Sequence, residues 1–155
     1  MTTRPTAKWR ERFQEEHARL AAGTLQAGDA YAIHLWPIDF TDAVDAALEK
    51  FEQDVLRLDN PTDAEVFIAV ERVVRTLNSI NDKHGRIETG EREELCEYIS
   101  LVLEEAGIDT RELAARRRIG VHELTDARHV AGAGGRHRLD LGVRSRRLGR
   151  ADRRR

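Results

Sequence analysis

Apolar residues along the chain recur at helical intervals, in segments separated by glycine, proline and capping residues. Trp9, Phe13 and Leu20 fall on one face of a stretch that Thr6 can cap and Gly23 can end, which predicts a first helix over 6–22. The opposite face carries Arg10, Glu11, Glu15 and Glu16. Between Thr24 and Phe40 the periodicity fails. Gly28-Asp29 and Trp36-Pro37 indicate a loop there, with room for a short helical or extended piece at 31–35. A second helix is expected from Asp39 or Thr41. Its Val44, Leu48, Phe51, Val55 and Leu58 alternate steps of four and three, a narrow seam suited to packing on another helix.

Asn60-Pro61-Thr62 is the clearest punctuation. Thr62 and Glu65 form a capping-box pair, and the helix they open is expected to run to about His84, with Gly85 as its left-handed stop. Val66, Val70, Val73, Leu77 and Ile80 make its apolar stripe, flanked by Phe67 and Val74. Thr89 opens a fourth helix with Leu95, Ile99, Val102 and Ala106 as its buried stripe and Gly107 as its end. Asp109 and Glu112 then begin a short basic helix through Arg118. No convincing alternation of the strand type occurs. The pattern implies an all-α fold, a compact antiparallel bundle of four main helices plus a short fifth.

Charge divides the chain in two. Residues 1–126 hold 16 Lys and Arg against 26 Asp and Glu, a net of −10. Residues 127–155 hold 10 Arg against Asp140 and Asp152, a net of +8, with five Gly, no Lys and no aromatic residue. The expected organisation is an acidic helical domain, 1–126, and a basic low-complexity tail, 127–155, of disordered character. Aromatics form only 5% of the chain, so most of the core must come from Val, Leu, Ile and Ala. The segment before Phe13 is broken by Arg4, Lys8, Arg10, Glu11 and Arg12 and does not read as a secretory signal. Apolar runs such as 66–70 fall far short of the roughly 18 residues that would span a bilayer. A single cysteine, Cys96, excludes an internal disulfide and a multi-cysteine metal site. A cytoplasmic, bacterial-type protein is expected.

Thr76-Leu-Asn-Ser-Ile-Asn81, followed by Ile87-Glu-Thr-Gly-Glu-Arg-Glu-Glu-Leu-Cys-Glu-Tyr-Ile99, resembles the "LNxxN…ETxEREELCEYI" core of small uncharacterised bacterial proteins common in actinobacteria. The Trp9…Phe13…Leu20 helix and Glu123-Leu-Thr-Asp126 suit the same pattern, so the resemblance covers about residues 6–126. It implies a fold rather than an activity. Some small acidic proteins of this general kind are immunity partners of toxins, an analogy only. In such relatives the Leu-Thr-Asp segment runs into an acidic, tryptophan-containing end of the form "EWRDW". Here Ala127-Arg-His-Val follows instead.

The polar cluster Asn78, Asn81, Glu88, Thr89 and Glu91 stands at the junction of the third and fourth helices. Its amides and carboxylates can hold a polar ligand or partner, or can bond the intervening backbone and staple the helices. His84 is expected to meet carbonyls at its helix end. Glu91, Glu93, Glu94 and Glu97 read as a solvated helix face favoured by the dipole. A carboxylate metal site would want Glu-x-x-His, but Gln14, Tyr31 and Asn81 stand three residues before His17, His34 and His84. His122-Glu123 lacks the second histidine of a zinc protease, and Gly132-Ala-Gly-Gly135 lacks the Gly-Lys-Ser/Thr end of a phosphate loop. Cys96 reads as a core or boundary residue. No catalytic residue, metal or cofactor is expected.

The functional expectation is a non-enzymatic domain that binds a basic protein, in the manner of an immunity protein; a small enzyme is the less favoured class. The competing class is a nucleic-acid-associated protein acting through the tail, whose arginines would bind phosphates with steep salt dependence. Arg exceeds Lys nine to three before residue 110, the bias of a GC-rich genome. An alternate frame of such DNA yields Arg, Gly and Ala and almost no Lys. Residues 127–155 are therefore hypothesised to be frameshift-derived. Resequencing the gene tests this: a shifted frame, natural or in the sequence record, is expected, and an unshifted frame in every read excludes it.

Overall fold

The computed structural model describes residues 2–121, with side chains through Arg117; the basic tail and the boundary expected after Asp126 lie outside the described residues. The described chain is all-helical. In order come α1 (Pro5–Ala21), a 3-10 turn (Ala27–Asp29), α2 (Tyr31–Leu35), α3 (Ile38–Leu56), α4 (Asp63–His84), α5 (Thr89–Glu105) and α6 (Thr110–Val121). No strand occurs among the described residues, and no helix there is long and apolar enough to cross a membrane.

The starts of the helices show where local chemistry decides. At α4 the capping box forms as the sequence implies. The Glu65 N–H donates to Thr62 Oγ1 at 3.3 Å, and the Thr62 N–H donates to Glu65 Oε2 at 2.8 Å. The helix ends at His84, and Gly85 takes φ +64°, the left-handed conformation that a Cβ would strain. Asp109 Oδ1 accepts from the N–H groups of Arg111 and Glu112, each at 2.9 Å, and so caps α6. That helix continues past Arg118 to Val121.

Three expectations need correction. Thr6 does not cap α1. The helix begins at Pro5, whose missing N–H costs nothing in the first turn, and Thr6 is buried, donating to Asp45 Oδ1 at 2.5 Å. The next long helix starts at Ile38 behind Pro37, before Asp39 and Thr41; Thr41 is buried and donates to the Trp36 carbonyl at 3.3 Å. On α5, Ala106 is exposed at the helix end, and Tyr98 and Leu103 join Leu95 and Ile99 in the core. The buried positions 91, 95, 99 and 103 advance in steps of four, which turns the stripe away from Ala106, and α5 ends at Glu105, one residue before it.

α3 is the axis of packing, contacting α1, α4 and α5. Its Val44, Leu48, Phe51 and Val55 are buried, and Leu58 packs partly buried beyond the helix end. α3 and α4 run in opposite directions. Phe40 near the start of one meets His84 at the end of the other, ring centroids 5.7 Å apart, while Asp54 near the end of α3 bonds Arg72 at 2.9 Å. Leu113 is buried, and Arg116 makes a bidentate pair with Asp63 at 2.6 and 2.9 Å, tying α6 to the start of α4. Of the α1 residues expected to face the core, Trp9 is fully buried whereas Phe13 and Leu20 are half-buried.

The substitution Thr62→Ala removes the acceptor for one N–H of α4 and is expected to lower unfolding stability by about 1 kcal/mol. Urea denaturation checks it, and the midpoint should fall with an unchanged slope.

Candidate functional site

The predicted polar cluster is divided by the structure into a cleft and a buried support. Asn81, Asp82 and Gly85 from the end of α4, Ile87 and Glu88 from the turn, and Thr89 and Arg92 from α5 line a half-open cleft of about 510 Å³. Asn81 Oδ1 accepts from the Ile87 N–H at 2.9 Å, so this amide does staple the turn. Arg86 Nη1 donates to the His34 carbonyl and moors the same turn to α2. Asn78, one helical turn before Asn81, is half-buried and does not line the cleft. His84 leans on the Phe40 ring, with Nδ1 3.9 Å from Asp39 Oδ2.

Glu91 belongs to the support. It is buried; one carboxylate oxygen accepts from Trp36 Nε1 at 3.1 Å and the other from the Glu88 N–H at 3.2 Å. Trp36 stacks on Trp9 with ring centroids 5.9 Å apart and planes 5° from parallel; Trp9 also stacks on Phe40 at 5.9 Å. The indole of Trp9 donates to Glu94 Oε2 at 2.7 Å, and Lys8 Nζ approaches Glu94 Oε1 at 2.5 Å. Burial pushes the Glu94 carboxyl up, and the hydrogen bonds from Lys8 and Trp9 outweigh it, holding the group below the usual carboxylate range. The acidic run on α5 is therefore not one solvated face. Glu91 and Glu94 turn inward to the tryptophans, and Glu93 and Glu97 stay exposed.

A second polar network joins α1, α3 and α5. Arg4 donates to both oxygens of Glu52, at 2.6 and 2.8 Å, and to Asp45 at 3.2 Å, while the Tyr98 hydroxyl donates to Glu52. The bond from Arg4 holds the Glu52 carboxyl below its ordinary range, and the same pairing raises Arg4. Burial, aided by the bond to Glu52, pushes the Tyr98 hydroxyl up. Charge-assisted bonds of this kind position side chains.

Several of these residues escape sequence reasoning. Asp82, Ile87 and Arg92 join the cleft through the α4–α5 corner, and Trp36 lies in a stretch whose periodicity is broken. Glu16 is a similar case, accepting from the Ala32 N–H at 2.7 Å and so capping α2 from another helix. Cys96 is half-buried, with its carbonyl accepting from Ser100 Oγ at 3.0 Å. Among the described residues no three His, Cys, Asp or Glu side chains converge as a metal ion would require. Comparison with protein-family models, curated proteins and solved structures finds no match to this chain.

The buried carboxylate supplies a discriminating pair of variants. Glu91→Leu leaves two N–H groups without their acceptor and is expected to cost about 2–3 kcal/mol of stability. Glu91→Gln keeps one of the two acceptors and turns its N–H₂ toward the other donor, so it should cost less than the leucine, about 1–2 kcal/mol. Chemical unfolding followed by tryptophan fluorescence measures both, and equal losses would remove the acceptor role.

Proposed function

We propose that the helical domain of residues 1–126 is a non-enzymatic protein-binding module whose partner is a basic protein, as in the pairing of an acidic immunity protein with a toxin. The observation that supports this reading is the distribution of uncompensated negative charge. Residues 1–126 carry a net of −10. Arg4, Lys8, Arg10, Arg72 and Arg116 are engaged in ion pairs within the domain. Carboxylates meanwhile remain exposed on α5 at Glu93, Glu97 and Glu104, with the side chain of Leu101 exposed among them. Spacings of four, four and three place these positions on one stripe of the helix.

An acidic stripe with an apolar residue within it suits a cationic surface. Its long-range field would accelerate encounter, and burial of Leu101 would add contact energy that salt does not screen. The composition of 127–155, with its 10 Arg, favours one alternative: association with nucleic acid through the tail.

The two readings separate in one experiment. The full chain and a variant ending at Asp126 are expected to capture the same basic protein from host extract at low salt. Glu93→Lys with Glu97→Lys should weaken capture by about tenfold or more, as charge reversal at an interface does. Absence of a partner at low salt counts against the reading. Gel-shift binding of nucleic acid that disappears on truncation would establish the alternative.

A further inference from the structure

We infer that the cleft at the α4–α5 corner is a binding site for a small zwitterion with the size and charge pattern of an amino acid or dipeptide. The inference rests on the cleft and stands apart from the protein-binding reading. The volume of about 510 Å³ falls within the range of small-molecule sites, roughly 300–1,000 Å³. What decides the ligand class is that the lining carries both signs of charge. Asp82, on the last turn of α4, and Glu88, in the turn, bring two exposed carboxylates, and the carbonyl end of α4 adds partial negative charge beside them. Arg92 brings a guanidinium from α5 and Thr89 a hydroxyl, beside the helix start that the Glu88 carboxylate caps.

A simple anion in this cleft meets two carboxylates, and a simple cation meets Arg92. A ligand with an ammonium and a carboxylate separated by a short apolar body answers both. Its ammonium would donate to Asp82 and Glu88, and its carboxylate would accept from Arg92 and the Thr89 hydroxyl. The buried Ile87 offers apolar contact between them. The cleft is also held open in advance. The Asn81–Ile87 hydrogen bond and the mooring of Arg86 to the His34 carbonyl fix the turn, so little ordering is needed on binding.

Titration of the full chain with the free dipeptide Ala-Ala, followed by ¹⁵N NMR, tests the site. Saturable shifts are expected for the amides of residues 81–92. The doubly blocked N-acetyl-Ala-Ala-amide should bind at least about tenfold more weakly, because each lost charge-assisted contact is worth on the order of tenfold in affinity. Asp82→Asn, at an exposed position, should weaken Ala-Ala binding by about tenfold with an unchanged circular dichroism spectrum. No saturable shift up to about 50 mM, a range far weaker than functional sites of this size, overturns the proposal. Equal shifts from the blocked dipeptide, or shifts confined to the outer face at Glu93 and Glu97, overturn it as well.

Discussion

The two buried indoles impose the constraint on which the arrangement of α1, α3 and α5 depends. Trp9 and Trp36 stack at the junction of these helices, and a buried indole N–H without an acceptor costs about 1–3 kcal/mol. Against a total stability of about 5–15 kcal/mol, two such losses would be severe. Both acceptors come from α5, where Glu91 and Glu94 stand one turn apart and face the same side. That requirement sets the rotation of α5 about its axis. Once Glu91 and Glu94 point inward, Glu93 and Glu97 must point out, and the sorting of α5 into a structural and a solvent-facing carboxylate set follows from it.

The attachment of α1 follows a related logic. The helix buries only Thr6 and Trp9, so little apolar area secures it. Polar contacts make up much of the remainder: Arg4 with Glu52 and Asp45, Thr6 with Asp45, Lys8 with Glu94, and Arg10 with Asp42. Exposed pairs such as Arg10–Asp42 are worth about 0–1 kcal/mol each. The half-buried Arg4–Glu52–Tyr98 group, with one guanidinium forked onto one carboxylate, has the geometry in which ion pairs contribute more. α1 thus acts as a lid whose single aromatic anchor is supported by charge, and it lies over the acidic faces of α3 and α5.

Two surfaces of different character meet on α5. Its first turn forms a wall of the corner cleft, where both signs of charge are present, and its outer stripe is acidic with Leu101 exposed. Glu91 links the cleft to the indoles, because the carboxylate that accepts from Trp36 also accepts from the Glu88 N–H at the edge of the cleft. Rotation of α5 would disturb the indole acceptor and the cleft together, so the cleft wall and the stacked indoles share one support.

What could be read in the sequence was what neighbouring residues decide among themselves. The Thr62–Glu65 box, the end of α4 at His84 with left-handed Gly85 and the Asp109 cap all appear as expected. Each is satisfied within about one turn of chain, and the all-helical class follows from apolar spacing alone. Only the tertiary structure could decide the fate of the polar residues. Thr6 looked like a cap and became a buried donor because Asp45, 39 residues away, lies against it. Glu91 and Glu94 looked solvated and became indole acceptors across separations of 55 and 85 residues. A polar side chain is soluble in water and also stable in a core that supplies its hydrogen bonds, so its sequence position alone leaves both outcomes open. The cleft belongs to the same class, since its charges become neighbours only when the α4–α5 corner folds.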